Sequence, residues 1–318
     1  MKKVAILTSG GDSPGMNSAI RSVVRYALSQ GLSVVGVTHG YQGLIDKKFR
    51  ELGRQDVSNI INLGGTFLKT ARSKDFYNRK WRKKAYQNMM ENGIDSYVVI
   101  GGDGSFRGAL DFHREFDFPV MGIPATIDND ISGTQETLGF DTALNTAMDA
   151  IDKIRDTAYS MDRIFLVEVM GRESGSIAVH SALAGGAEDL VIPEIERDID
   201  SILDKVKKGR RSGKKSWIII LAEGSGKTLT LSEELKKHLK DVRVTVIGHI
   251  QRGGSPSAFD RVLGARMGKA AVEALLDGKG HHAVGWINDC PVVYPMQDAI
   301  KYKQEDFSKF IELVQILT

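Results

Sequence analysis

The chain has 318 residues, 42% of them hydrophobic and 26% charged, with a formal net charge of +3. These proportions describe a globular protein with room for two packed domains, and so small a charge gives no reason to expect a nucleic-acid partner. The single cysteine, Cys290, excludes an intrachain disulfide, and no apolar run approaches the roughly 18 residues of a membrane span, so no membrane partner is expected.

Residues 3–8 (KVAILT) read as a first strand that runs into Gly10-Gly11-Asp12. The N-terminal segment MKKVAILTSGGD has neither the length nor the cleavage site of a signal peptide, and a cytoplasmic protein is expected. Pro14-Gly15 precede a helix over 16–30. Its Met16, Ala19, Ile20, Val23, Val24, Ala27 and Leu28 share one face, and Gly31 stops it. Further strands are expected at 33–37, 96–100, 119–123, 163–169, 216–222 and 242–247. A second helix carries Phe140, Leu144, Ala147, Met148, Ile151 and Ile154 at helical period. Continuous apolar strands alternating with helices imply an α/β fold on largely parallel sheets, buried on both faces. A loose echo pairs AILTSGGDS with VEVMGRESG, and VVIGGDGS with ILAEGSG; it fits either two related lobes or chance.

The 34 glycines exceed ordinary usage, and with Asp and Arg they collect at strand ends, where open α/β sheets bind ligands. Gly10-Gly11 ahead of a helix present free N–H groups and a positive dipole end, which suit phosphate; a bare strand-to-helix turn has the same residues. Gly101-Gly102-Asp103-Gly104-Ser105 allow backbone to approach a polyphosphate, with Asp103 facing Mg²⁺ directly or through water; an Asx-type turn is the alternative. In Thr126-Ile127-Asp128-Asn129-Asp130, an extended backbone would put Asp128 and Asp130 on one face. One carboxylate would then take a hydroxyl proton while the other holds metal or orients a partner; capping aspartates in a polar loop are the alternative. Arg72, Arg163, Arg172, Arg243, His249 and Arg252 stand near glycines or strand ends. Arginine forks match phosphate oxygens, although each alone also reads as a surface ion pair. Glu223-Gly224-Ser225-Gly226-Lys227-Thr228 imitates a Walker A ending, but Leu221 stands where the first glycine is required.

Taken together, LTSGGDSPGMN, GGTFLKTAR, VVIGGDGS, TIDNDI, VEVMGR, AEG and GHIQRGGSP resemble the bacterial ATP-dependent 6-phosphofructokinases in order and spacing. The resemblance runs from residue 1 to about 280 and is poor beyond. It implies two three-layer α/β lobes: a larger ATP-binding lobe of 1–138 and 250–304, and a smaller sugar-phosphate lobe of 139–249 and 305–318. The implied reaction is glycolytic: ATP phosphorylates fructose 6-phosphate at its 1-hydroxyl, giving fructose 1,6-bisphosphate and ADP, with Mg²⁺ as cofactor. By resemblance, Gly11, Arg72, Ser73, Gly102, Asp103, Gly104 and Ser105 surround ATP, with Asp103 on the metal. Asp128 is the base, with Thr126, Ile127 and Asp130 beside it. Met170, Gly171, Arg172 and Glu223 hold the sugar, and Arg172 also stabilises the transferring group. His249 and Arg252, in one turn with Ile250 and Gln251, take the 6-phosphate, joined by Arg163 and Arg243 from a neighbour in a homotetramer.

Gly104 matches the ATP users of the family, where pyrophosphate users resemble GGDD. Ala125 replaces the glycine usual in ATP users and the lysine usual in pyrophosphate users; it adds one methyl and no charge, so ATP is the expected donor. The resemblance also implies an effector site for ADP or phosphoenolpyruvate, matched by Arg21, Ser22, Val23, Val24, Arg25, Arg54, Arg155, Gly186, Ala187, Glu188, Lys214, Lys215 and Ser216. Ser212 stands there in place of a common lysine, and Asn59 in place of a common aspartate. A lost phosphate-binding lysine at a partly exposed site costs about 0.5–1 kcal/mol, so weaker regulation is expected. A sensor built on a decayed kinase would have lost Asp128 or Arg172, and both are present.

Overall fold

The computed structural model describes residues 1–196, 198–303 and 305–317. In chain order the strands are β1 (Lys3–Ser9), β2 (Ser33–Val37), β3 (Phe49–Glu51), β4 (Ser96–Gly101), β5 (Val120–Pro124), β6 (Ile164–Val169), β7 (Asp189–Val191), β8 (Trp217–Ala222), β9 (Val242–Val246), β10 (His281–Ile287) and β11 (Cys290–Pro295). The helices are α1 (Met16–Ser29), α2 (Gly40–Ile45), α3 (Arg79–Glu91), α4 (Asp103–Phe116), α5 (Phe140–Ser160), α6 (Ser176–Ala184), α7 (Ile199–Arg211), α8 (Thr228–His238), α9 (Ala258–Leu276), α10 (Met296–Ala299) and α11 (Ser308–Ile316). Two compact units divide the chain: Met1–Thr142 with Arg252–Gln304, and Ala143–Gln251 with Glu305–Thr318.

The first unit holds a sheet in the order β11-β10-β5-β4-β1-β2-β3. Its interior pairings are parallel, and the edge pairs β2–β3 and β10–β11 are antiparallel. Alternation along β1 explains the layers. Val4 and Ile6 join Met16, Ile20 and Val23 of α1 and Leu263 and Met267 of α9 on one face. Ala5 and Leu7 join Leu44, Tyr97, Phe106 and Phe112 on the other. Strands covered on both faces must be apolar throughout, and for that reason they read as unbroken hydrophobic runs.

Helices α1 and α9 approach closely because their facing residues are small. A Cβ at Gly268 would lie 2.7 Å from Ser22 Cβ and 2.9 Å from the Ala19 carbonyl. The hydroxyls of Ser18 and Ser22 donate across the contact to the Arg261 and Ala265 carbonyls, each at 2.5 Å.

The second unit holds a wholly parallel sheet in the order β7-β8-β6-β9. On one face Ile164, Leu166, Trp217 and Ile219 pack with Ile202, Leu203 and Val206 of α7 and Leu231 and Leu235 of α8. On α6 pack both β8 and the C-terminal helix α11. Among the described residues no helix is long and apolar enough to cross a membrane.

Candidate active site

In the first unit, the turns bearing the expected carboxylates leave adjacent parallel strands. Gly101 at the end of β4 pairs with Pro124 at the end of β5, and the Ala125 N–H donates to the Gly101 carbonyl at 3.0 Å. A Cβ at Gly102 would lie 3.9 Å from Thr126 Cβ. β1 ends beside them, with the Ser105 hydroxyl donating to the Ser9 carbonyl at 2.9 Å. This crowding accounts for Gly101, where a Cβ would stand 2.4 Å from that same carbonyl oxygen. Gly104 is different, because a Cβ there meets nothing within 4 Å. The turn therefore leaves open space over the start of α4, where the Ser105 and Phe106 N–H groups donate to the Gly102 carbonyl at 3.0 and 3.2 Å and those of Asp103 and Gly104 have no partner within the helix. Asp103 opens α4, and its half-exposed carboxylate pairs with Arg107 at 3.3 Å.

The TIDND segment is not extended, so the alternation expected of Asp128 and Asp130 does not apply. Ile127 and Asp128 form a turn, and Asn129 is left-handed at φ 51°. Asp128 is buried at 5% exposure, while Asp130 is half-buried. The Asp128 N–H donates to the Thr126 hydroxyl at 3.2 Å, and the Thr137 hydroxyl donates to the Thr126 carbonyl at 2.6 Å. Asn129 Nδ2 reaches the Gln135 carbonyl at 3.0 Å. Residues outside the recognised motifs brace this loop further along. Trp286 N–H donates to the Thr134 hydroxyl at 2.9 Å, and Tyr294 O–H to the Ser132 carbonyl at 2.8 Å.

Gly11 accommodates an arginine. A Cβ there would lie 2.6 Å from Arg252 Nη1, which itself donates to the Asp12 carbonyl at 3.0 Å. Arg252 is thereby brought onto the glycine turn expected to face ATP. Sequence reasoning assigned no role to Asn17, Thr66 or Thr70, which hold the segment before Arg72. Asn17 Oδ1 accepts the Phe67 N–H at 2.6 Å, Thr66 Oγ1 and Thr8 Oγ1 lie 2.9 Å apart, and Thr70 donates to the Gly10 carbonyl at 3.0 Å. All three lie inside the motifs LTSGGDSPGMN and GGTFLKTAR, so the signal was present without a stated function. Arg72 is exposed, and Ser73 donates to Gln42 Oε1 at 2.8 Å.

In the second unit, Met170 and Gly171 follow β6 and Glu223 follows β8, which pairs with β6 in parallel. Arg172 is held left-handed at φ 57°. Its N–H donates to Glu223 Oε1 at 2.8 Å, and a Cβ at Gly224 would sit 1.9 Å from its carbonyl oxygen. The carboxylate and the glycine thus fix the Arg172 backbone and leave the side chain exposed. Gln251 is fully buried and accepts the Met170 N–H at 2.9 Å, so it supports backbone here. His249 and Ile250 are exposed in the same short turn. Arg163 precedes β6, and Arg243 lies on β9 opposite Phe165.

Of the residues expected at an effector site, the second unit brings Arg155, Gly186, Glu188 and Lys214 together. Buried Glu188 lies 3.3 Å from Lys214 and 3.8 Å from Arg155, and it accepts the Ile218 N–H at 2.5 Å. Arg155 also donates to the Gly186 carbonyl at 2.8 Å. Lys215 turns to Asp162 at 3.3 Å, and Ser212 is exposed after α7. In the first unit, Val23 and Val24 bury their side chains in the core and Ser22 is spent on the α9 contact. Arg25 reaches the Arg54 carbonyl at 3.4 Å, and partial burial, with Arg25 nearby, lowers the pKa of Arg21 below its usual value.

The Phosphofructokinase family profile matches residues 3–275. ATP-dependent 6-phosphofructokinase 2 of Bacteroides thetaiotaomicron is 50% identical over 305 residues, 95% of this chain and 94% of that protein. ATP-dependent 6-phosphofructokinase 1 of Thermus thermophilus is 48% identical over 320 residues, covering 100% of this chain and 99% of that protein. The family profile ends at residue 275, near where the resemblance was expected to fade, while this alignment runs on over the rest of the chain. Phosphofructokinase from Saccharomyces cerevisiae superposes with a TM-score of 0.91 at 34% identity, over 94% of this chain and 45% of that one. With a family profile over most of its length and relatives near half identical over nearly all of it, the chain belongs to the phosphofructokinase family.

Proposed function

We infer that the chain transfers the γ-phosphoryl group of ATP to the 1-hydroxyl of fructose 6-phosphate, giving fructose 1,6-bisphosphate and ADP. The observation that carries this reading is the adjacency of the GGDG and TIDND turns. Paired strand ends set an open, glycine-lined helix start beside a buried carboxylate. Asp128 accepts the proton of the 1-hydroxyl as that oxygen bonds to the γ-phosphorus and the bond to the ADP oxygen breaks. Such transfer depends more on alignment and charge neutralisation than on a strong base. Glycines at 11, 102 and 104 face the nucleotide with Arg72, Ser73 and Ser105, and Arg172 steadies the moving group. The sugar is held by Met170, Gly171, Arg172 and Glu223, and its 6-phosphate by His249 and Arg252.

Mg²⁺ would supply neutralisation of the ATP phosphates. The donor set fits it: Asp103 offers one half-exposed carboxylate at an open turn, and Mg²⁺ characteristically takes one or two carboxylates with waters and phosphate oxygens. ATP is favoured as donor by the unfilled space at Gly104. Ala125 is consistent with it, since its buried methyl brings no charge to the site. We further propose a cytoplasmic homotetramer in which Arg163 and Arg243 serve a neighbour's 6-phosphate. ADP or phosphoenolpyruvate would act at the Arg155–Glu188–Lys214 cluster, and the unit holding residues 1–142 would carry most of the nucleotide contacts.

Formation of ADP with fructose 6-phosphate tests this reading. Asp128→Ser is expected to lower kcat by about 100-fold or more with KM little changed; turnover close to wild type would remove Asp128 from the role. Replacing ATP by pyrophosphate should abolish the reaction.

A further inference from the structure

The segment after α10 reaches the TIDND loop directly and the GGDG turn through Arg107. At its start, Arg107 Nη2 donates to the Ile300 carbonyl at 3.0 Å, while Nε of the same guanidinium reaches Asp103 Oδ2 at 3.3 Å. Tyr302 next pairs with Ile131 as an isolated antiparallel bridge. Lys303 Nζ then donates to the Asn129 carbonyl at 2.8 Å. Residues 300–303 thus run from the first turn of α4 to the loop that carries Asp128, yet none of them belongs to a recognised motif.

We propose that Lys303 is a positioning residue for Asp128. The inference rests on the reading of Asp128 as the base. Asn129 is buried and left-handed at φ 51°, a conformation open to few residues besides glycine, asparagine among them, and held here by the contacts around it. Its amide group is engaged by Gln135 and Thr137 at 3.0 and 3.3 Å, which fixes the side chain and leaves the following peptide plane to be set. Lys303 sets that plane with a hydrogen bond strengthened by the ammonium charge. On the other side of Asp128, its own N–H is tied to Thr126. The carboxylate is therefore held from both flanks, and the Tyr302 bridge and the Arg107 contact keep Lys303 in reach. Loss of the ammonium would let the 129–130 peptide rotate and carry Asp128 off the line of attack without removing any group that binds substrate.

The test is steady-state kinetics of the full chain with Lys303→Met and Lys303→Arg, alongside Asp128→Ser and the double variant. Lys303→Met is expected to lower kcat by about 10-fold, with KM for ATP and fructose 6-phosphate within about twofold of wild type. Lys303→Arg, which keeps a charged donor, should recover most of the loss. Because the lysine acts through Asp128, adding Lys303→Met to Asp128→Ser should cost nothing further. A Lys303→Met enzyme with unchanged kcat, a loss that arginine does not restore, or full additivity in the double variant would each overturn the proposal. If Lys303→Met does not fold, Lys303→Gln, which also removes the ammonium, takes its place in the same cycle with Asp128→Ser, and the same outcomes decide. Failure of the underlying reading looks different, since Asp128→Ser would itself retain turnover.

Discussion

Asp260 is fully buried at the head of α9. Its carboxylate accepts the Gly139 N–H at 2.8 Å, the Thr142 N–H at 2.9 Å and the Thr142 hydroxyl at 2.5 Å. These bonds pin the chain just after the TIDND loop and cap the start of α5. Burial pushes its pKa from 3.8 up to about 6, outweighing the hydrogen bonds that pull it down. The sign of the stability effect follows. Between those two values the folded chain binds a proton that the unfolded chain does not, so stability is greatest below about 3.8, falls as pH rises to about 6, and is level above. The component is worth up to about 3 kcal/mol. Asp260→Asn also loses an acceptor, a cost independent of pH, so the informative quantity is how the difference from wild type changes with pH. In chemical unfolding, the wild-type advantage should shrink between pH 4 and 6; a difference flat across that window would count against the assignment.

At the scale of elements, the α1–α9 contact depends on missing side chains. Valine at 268 would gain helix propensity, about 0.5 kcal/mol over glycine. Its Cβ must still enter space held by Ser22 Cβ at 2.7 Å and the Ala19 carbonyl at 2.9 Å, and backbone cannot yield as a flexible side chain can. Gly268→Val is therefore expected to lower the unfolding free energy by about 2–3 kcal/mol, read from the denaturant midpoint, and an unchanged midpoint would refute the close crossing. The same glycines explain why α9 was not legible beforehand, since Gly264 and Gly268 interrupt its apolar period. The apolar runs corresponding to β1, β2, β4, β5, β6 and β8 were legible because both faces of those strands are largely covered, and β9, a half-exposed edge strand, because valines alternate along it. β3 and β7 are three residues each, too short for a pattern. β10 and β11 mix histidine, glycine and proline into their apolar residues. α3, with sequence RKWRKKAYQNMME, buries only Arg82, Ala85 and Met89 and so shows no apolar stripe.

Across the whole molecule, the chemical groups of the candidate site were visible in sequence because glycine turns and strand ends mark them. Their supports were not. Lys303, Trp286 and Tyr294 act on backbone carbonyls or a hydroxyl of one loop, contacts that leave no spacing signal. The same contrast applies to regulation. Arg155, Glu188 and Lys214 were expected together at an effector site by resemblance; both cations face the buried Glu188 carboxylate, so the three leave a single net positive charge there. Ser212 adds none; it is exposed, and its hydroxyl bonds back to the Lys208 carbonyl at 3.3 Å. A lysine at 212 would extend from the C-terminal end of α7, where the helix dipole favours a cation, and would raise the positive charge beside Lys214. At an exposed position that gain is worth about 0.5–1 kcal/mol. Ser212→Lys is accordingly expected to lower the half-activating ADP concentration by about 2- to 5-fold, with the maximal rate and thermal midpoint unchanged. Activation curves that coincide for the two proteins would show that the serine is not what limits effector binding, and would shift attention to the charge already consumed by Glu188.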